Sequence, residues 1–221
     1  MNLKKCSVKL ICLYALISSQ AFGSGSIEKI LKNENLKNSD IKSVKLIVNQ
    51  SPKDSIKKFL KILKDDKYPD RSRWLSLLLI GKTMGKKSTS MMVKYLEHPH
   101  WILRSAALKS LQSLKVSYPK QKYRKLLTDK SYVIREQALE IISTLKIKDL
   151  ENDVLKMLGD QSNYIKTKKG MVASEVIKKV LVTLSTLGMQ KSIPLLKKLR
   201  NSKAGKSISP QIDQAIEKIS I

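Results

Sequence analysis

The sequence contains few of the side chains that metal sites and disulfides need. It has two cysteines and two histidines in 221 residues. Cys6 and Cys12 both lie near the amino terminus, so the remainder of the chain has no thiol or disulfide chemistry. His98 and His100 flank Pro99, and without a third histidine or a cysteine they fall short of the ligands that zinc requires. We interpret them as turn residues and predict no metal and no cofactor.

Motifs for catalysis are also missing. None of the eight glycines stands in a phosphate-binding loop pattern, and no serine lies in a nucleophile-elbow context. Asp65 and Asp66 fall in a polar turn between predicted helices, where carboxylates more often stabilise helix ends than act as acids or bases. The sequence therefore predicts a protein that is not an enzyme.

Acidic residues are outnumbered. Lys+Arg is 44 against 18 Asp+Glu, which gives a net charge of +26, but only six of the cations are arginine. Such a charge favours acidic proteins, anionic envelope polymers or nucleic acid as partners. Planar, bidentate recognition of phosphate favours arginine, so a lysine-rich chain indicates either a functional basic patch or a merely solvated basic surface.

Residues 1–23 resemble a secretory signal peptide. Lys4, Lys5 and Lys9 precede the apolar run 10–17, and small residues follow, with cleavage expected after Ala21 or Gly23. The apolar run is far shorter than the roughly 20 residues of a membrane-spanning helix, so an anchor is the weaker alternative. We predict an exported protein, periplasmic or secreted, with no stable membrane insertion after cleavage. Export argues against nucleic acid as the partner.

Residues 98–114 and 129–145 match position by position. Arg104 aligns with Arg135, an offset of 31 residues, and Trp101 aligns with Tyr132. A fixed offset that preserves apolar, small and cationic positions is typical of stacked helical repeats. The same offset reaches back to Arg73 and forward from Asp129 to Asp160, and then fails after Lys166, where 11 extra residues are inserted. We predict two helices per repeat over residues 52–221, preceded by an N-terminal helical cap or arm at 24–51.

These repeats resemble the HEAT family. The resemblance is carried by a short turn with an acidic residue followed six positions later by a cation, as in Asp129 to Arg135 and Asp160 to Lys166. It implies an all-α fold, a right-handed α-solenoid of stacked antiparallel helix pairs. It also implies a structural ladder between neighbouring repeats, formed by Arg73, Arg104, Asp129, Arg135, Asp160 and Lys166. His98 and Lys67 replace the acid in two repeats, so the ladder should be partial.

Some of these residues also have the chemistry for binding a ligand. A regular cationic row favours phosphate binding, but its spacing recurs with the fold, so we interpret it as the ladder. Trp74, Trp101 and Tyr132 have the chemistry to stack on bases or sugars, yet they lie among apolar neighbours, and we predict that they pack in the core.

The inserted region is the best candidate for a binding site. Insertions in repeat proteins map to loops on one face, often the binding face. Lys166, Lys168 and Lys169 in the insertion and Lys178 and Lys179 on the next helix are predicted to form a basic patch; the alternative is a flexible solvated loop. We expect a scaffold that binds another protein, with an acidic one favoured by the net charge, along exposed helical residues such as Lys109, Gln112, Glu140 and Ser143. A module for envelope polyanion or nucleic acid is the alternative.

Overall fold

The computed structural model describes residues 26–116 and 118–221. The protein is mostly helical, as the sequence predicts. Its contacts divide it into two compact units, one ending at Ser88 and one running from Thr89 to Ile221. The predicted signal peptide at 1–23 lies outside the described residues.

The first unit is a group of helices around an aliphatic core. Pro52 is the first residue of one helix, a position where the N–H that proline lacks would have no partner in the helix. At the start of another helix, the Asp40 carboxylate accepts a hydrogen bond from the backbone N–H of Lys37 at 2.8 Å. Ile27 and Leu31 are fully buried, so the first helix packs against its neighbours. The helices are α1 (Ser26–Leu31), α2 (Asn38–Gln50), α3 (Pro52–Lys64) and α4 (Asp70–Met84), followed by a 3-10 turn at Gly85–Ser88.

The second unit consists of helices in consecutive pairs. A shorter helix of each pair is followed by a longer one that buries Leu, Ile, Val and Ala on its inner side. The helices are α5 (Thr89–Tyr95), α6 (Trp101–Ser113), α7 (Lys120–Leu127), α8 (Tyr132–Thr144), α9 (Glu151–Lys156), α10 (Glu175–Leu187), α11 (Ile193–Asn201) and α12 (Ser209–Ser220), with 3-10 turns at Lys148–Leu150, Gln161–Asn163, Gln190–Ser192 and Lys206–Ile208.

Packing in this unit follows the pairs. Helix α5 contacts α6, α7 contacts α8, α9 contacts α10, and α11 contacts α12. The longer helices also form a row in which α6 contacts α8, α8 contacts α10, and α10 contacts α12. The core runs along this row, because each long helix is covered by its own partner and by its neighbours in the row.

Three long helices end in the same way. Lys115, Lys146 and Gly188 have positive φ values of 51°, 49° and 67°. The next residue then donates its N–H back into the last turn, from Val116 to the Leu111 carbonyl, from Ile147 to Ile142 and from Met189 to Leu184. This is the Schellman arrangement, which satisfies carbonyls that the helix leaves free. The spacing between these helix ends follows the sequence repeat: it is 31 residues from Lys115 to Lys146 and longer from Lys146 to Gly188, because the insertion lies between them.

The inserted region is a β-hairpin, where the sequence suggested a loop. Strands β1 (Tyr164–Thr167) and β2 (Gly170–Ala173) pair antiparallel, with Tyr164 opposite Ala173 and Thr167 opposite Gly170. Lys168 and Lys169 form the two-residue turn. Gly170 has φ +119°, a conformation that side-chain-bearing residues rarely adopt, so it allows this tight reversal. Over residues 26–116 and 118–221 no helix has the length and apolar character needed to span a membrane.

Candidate functional site

A buried ion pair connects two successive turns of the second unit. Arg104, on α6, donates from Nε and Nη2 to the Asp129 carboxylate at 2.8 and 2.6 Å. Its Nη1 donates to the carbonyls of His98 and Pro99, each at 2.8 Å. The two side chains are only 12% and 11% exposed. The guanidinium is therefore committed to the protein's own acceptors, which leaves it unsuited to an external phosphate.

The other residues of the expected ladder are arranged differently. Arg135 donates to two backbone carbonyls, Asp129 at 2.9 Å and Ser162 at 3.1 Å, and so ties the turn before α8 to the turn before α10. The Asp160 carboxylate accepts from the Ser162 N–H at 2.9 Å, which caps the 3-10 turn at Gln161–Asn163. Lys166 lies on β1 and is exposed, because the hairpin occupies the place where a helix would otherwise begin.

Arg73 belongs to the first unit and forms its own contacts there. Its Nη1 lies 3.2 Å from Asp66 and 3.8 Å from Asp70, and its Nη2 donates to the Leu63 carbonyl at 3.4 Å. Its side chain is 10% exposed. It joins the end of α3 to the start of α4 within that unit.

The turns before α6, α8, α10 and α12 lie along one edge of the second unit. We call this the turn edge, and it comprises residues 96–100, 128–131, 157–174 and 202–208, with the first residue of each following helix. Arg104 connects the first turn to the second, and Arg135 connects the second to the third. The fourth turn reaches the third because Lys203 lies against Gly170 of the hairpin.

Apolar side chains are exposed on the turn edge. Trp101 and Tyr132, the first residues of α6 and α8, are 42% and 62% exposed, and Ile165 on β1 is 54% exposed. The prediction that Trp101 and Tyr132 pack in the core is therefore wrong. Each stands at the first turn of a long helix, where the shorter partner helix has already ended. Trp74, in the first unit, is half-buried.

Lysines are also exposed on the turn edge. Lys166, Lys168 and Lys169 are on the hairpin, and Lys203 stretches its stem along Gly170, where an added Cβ would lie 3.4 Å from its Cδ, Cε and Nζ atoms. We call these four residues the hairpin lysines. Within the described part of the chain none of them forms an ion pair. Like charges gathered on one small element raise the local potential and attract anions.

Lys178 and Lys179 differ from the hairpin lysines because they have acidic partners. Both lie on α10, where Lys178 pairs with Glu175 at 2.5 Å and Lys179 lies 3.9 Å from Glu140. The structure therefore divides the predicted basic patch into a hairpin part without acidic partners and a helical part with them. Lys203 was missed in the sequence because its approach to Gly170 is a tertiary contact.

The exposed face of the long helices is occupied by lateral contacts. Gln112 donates to Glu140 at 3.3 Å, and Gln137 donates to the Ser105 hydroxyl at 2.9 Å. Glu136 also lies on this face, and its pKa is raised above the usual value, first by desolvation and then by the nearby Glu175 carboxylate. The Gln112–Glu140 and Gln137–Ser105 contacts join neighbouring helices to one another.

No group of three or more potential metal ligands occurs among the residues that the structure describes. Comparison of the chain with models of known protein families, and with characterised proteins, found no match. The arrangement of the residues alone therefore carries the functional argument.

Proposed function

We propose that the protein is a non-enzymatic scaffold of the HEAT type and that its second unit is a short α-solenoid. The paired helices, the row of long helices and the recurring Schellman ends at Lys115, Lys146 and Gly188 support this proposal. Repeats of this kind stack so that each contacts mainly its neighbours, which produces an extended surface suited to binding another macromolecule.

The proposed partner is an acidic segment of another protein, bound on the turn edge. The observation that carries this is that the turn edge holds both exposed aromatic side chains and the hairpin lysines. Tryptophan and tyrosine are enriched among the residues that dominate binding energy at protein interfaces. Lysines without acidic partners add attraction for carboxylates and accelerate association. Together they match an acidic segment that carries apolar anchors.

A polyanionic polymer of the cell envelope is the second candidate, and the four hairpin lysines favour it. The two candidates differ in salt dependence. A polymer bound through its charges releases counterions, so its affinity falls steeply as salt rises. A protein segment that also buries Trp101 and Tyr132 retains most of its affinity at moderate salt, because apolar burial is not screened.

The proposal includes export, because the features of residues 1–23 are those of a cleaved signal peptide. The partner is then another exported protein. Mass spectrometry of protein isolated from cells measures the amino terminus. An intact Met1 would remove export from the proposal.

The test compares charge-reversed and alanine variants in affinity capture from an envelope extract at moderate salt. Lys168→Glu/Lys169→Glu should lose the captured protein, and Trp101→Ala/Tyr132→Ala should lose the same one. The matched control is Lys42→Glu/Lys53→Glu, which makes the same change in net charge at exposed lysines of α2 and α3. Equal capture by the hairpin variant and the control would show that the turn edge is not the binding surface.

A further inference from the structure

A second apolar surface lies between two short helices of the second unit. The groove between α9 and α11 has a volume of about 430 Å³ and is lined by Leu155, Leu158, Leu195 and Leu199, with Lys156, Lys198, Gly159 and Ser202 at its margins. None of the four leucines is buried, and Leu195 is 44% exposed. Four leucines that face one another across an open groove leave apolar surface in water, which is unfavourable unless something covers it.

The spacing of the leucines explains why they face the groove. Leu195 and Leu199 are four residues apart and therefore lie on one side of α11, while Leu196 points the other way and is fully buried. Leu155 lies near the end of α9 and Leu158 in the turn that follows, and the buried Val154 supplies the inward contact. The core of each helix is thus complete without the groove leucines.

The charge around the groove selects the kind of occupant. Lys156 and Lys198 are exposed, neither has an ion pair within the described residues, and no acidic residue lines the groove. The neighbouring groove between α7 and α9 differs, since it contains Asp153 and Asp160 beside its cations. The groove between α10 and α12 is smaller, at about 200 Å³, and its lining includes Lys178, which is already paired with Glu175. Of these three grooves, the first is the one lined by four leucines and by lysines that form no ion pair within the described residues.

The groove is continuous with the turn edge. Leu158 and Gly159 lead directly into the turn that carries the hairpin, and Ser202 immediately precedes Lys203, whose side chain lies on Gly170. The open form of the groove suits side chains projecting from a polypeptide, whereas small-molecule sites enclose most of their ligand.

We propose that the groove between α9 and α11 binds an acidic amphipathic helix of the partner, with leucine-type side chains seated between the leucines and carboxylates directed to Lys156 and Lys198. This rests on the proposed function and adds the chemical form of the partner. Docking an amphipathic helix in an apolar groove uses residues at i, i+3, i+4 and i+7 as anchors. The carboxylates on either side of the anchors then meet the cationic rim, which fixes the orientation of the helix.

The experiment uses the full protein and two labelled synthetic peptides of about 16 residues, long enough for a helical segment. One is glutamate-rich with leucines at i, i+3, i+4 and i+7, and the other has serines in place of the leucines. Fluorescence anisotropy should show that the leucine peptide binds more tightly. Leu195→Asn should weaken the leucine peptide roughly tenfold, since one apolar anchor contributes about that factor, and should leave the serine peptide within about twofold.

The matched control is Leu46→Asn on α2, which removes a leucine that is 60% exposed in the first unit. It should change neither peptide's affinity, and circular dichroism should show both variants folded. Lys168→Glu/Lys169→Glu tests the proposed function separately, because it should weaken both peptides. Loss with Leu195→Asn alone would retain the groove and reject the hairpin lysines, and loss with the lysine variant alone would do the reverse.

Other occupants give other results. If sedimentation shows a dimer that Leu195→Asn converts to a monomer, the groove is covered by a second copy and the proposal is wrong. If vesicles containing phosphatidylglycerol bind in a Leu195-dependent way and the leucine peptide does not, the occupant is a lipid surface and the proposal is again wrong. Equal affinity of the two peptides for the unaltered protein would also overturn it.

Discussion

Replacing Asp129 by asparagine tests whether the buried ion pair with Arg104 holds the turns of the second unit together. Asparagine has nearly the same shape as aspartate but no charge. Its oxygen can still accept one hydrogen bond from Arg104, whereas its NH₂ group would face the other guanidinium N–H, so one of the two bonds, at 2.6 and 2.8 Å, is lost. The Arg104 cation would remain nine-tenths buried without an anion.

The size of the effect follows from this burial. Removing one partner of a buried pair typically costs 3–5 kcal/mol, and the retained hydrogen bond places Asp129→Asn near the lower end, at about 3 kcal/mol. With a urea dependence of about 1.5 kcal/mol per M, the unfolding midpoint of the second unit should fall by roughly 2 M. The carbonyls of His98 and Pro99 still accept from Arg104, so the folded arrangement should survive at low urea.

Urea unfolding followed by circular dichroism at 222 nm measures this shift. Because the chain has two compact units, the curve is fitted with two transitions if it resolves them. Asp213→Asn is the matched control, since Asp213 lies 2.5 Å from Arg200 in a pair whose side chains are about half exposed, at 47% and 48%. Exposed pairs contribute little, so this variant should leave the midpoint nearly unchanged. Equal shifts for the two variants would refute the assignment of a structural role to Arg104 and Asp129.

For two further substitutions, the structure determines whether stability rises or falls. The pKa of Glu136 is raised by desolvation and by Glu175, so ionising it opposes folding; stability from this group is complete below about pH 4.5 and is lost as the pH rises through the folded-state pKa. Glu136→Gln should therefore raise the melting temperature at pH 7 and have no such effect at pH 3.5, and a gain of equal size at both pH values would contradict this. Gly205→Ala should destabilise the second unit by about 2 kcal/mol or more, because an added Cβ would overlap the Leu199 carbonyl. Gly159→Ala, where the Cβ would have an ordinary contact at 3.6 Å, should be tolerated, and thermal melts that do not separate the two glycine variants would exclude this explanation.

The helices of the second unit were predictable because their signals are local. The 31-residue offset between Arg104 and Arg135 placed two long helices, and the structure has them at Trp101–Ser113 and Tyr132–Thr144. Pro52 likewise marked the first residue of α3. In each case the apolar spacing and the end signals lie within a few residues of one another, so no tertiary contact was needed to interpret them.

The hairpin was missed although its sequence contains a signal. Tyr164, Ile165 and Thr167 are β-forming types, and the turn-forming Gly170 follows soon after them, next to Lys168 and Lys169. The surrounding helical repeat favoured an interpretation as a loop. The burial of Ile27 and Leu31 in the first helix could not be predicted from the sequence, because it depends on contacts with later helices.

The exposure of the aromatic residues of the turn edge could not be predicted from the sequence repeat. Aligned positions in two repeats indicate that Trp101 and Tyr132 share an environment, and they do. The alignment does not say whether that environment is core or surface, since this depends on how far the partner helix extends. The approach of Lys203 to Gly170 was equally beyond reach, because it joins residues from two different turns.

The hairpin also shows how this architecture accommodates change. Eleven extra residues enter between α9 and α10, yet α10 still packs on α8 and still ends with the same hydrogen bond as the helices before it. Lengthening a connection at the surface costs little loop-closure entropy and leaves the packed helices where they were. The tip at Lys168 and Lys169 is therefore a suitable position for grafting a foreign peptide. The hairpin would hold the ends of the peptide in place, and the packed helices would keep their stability.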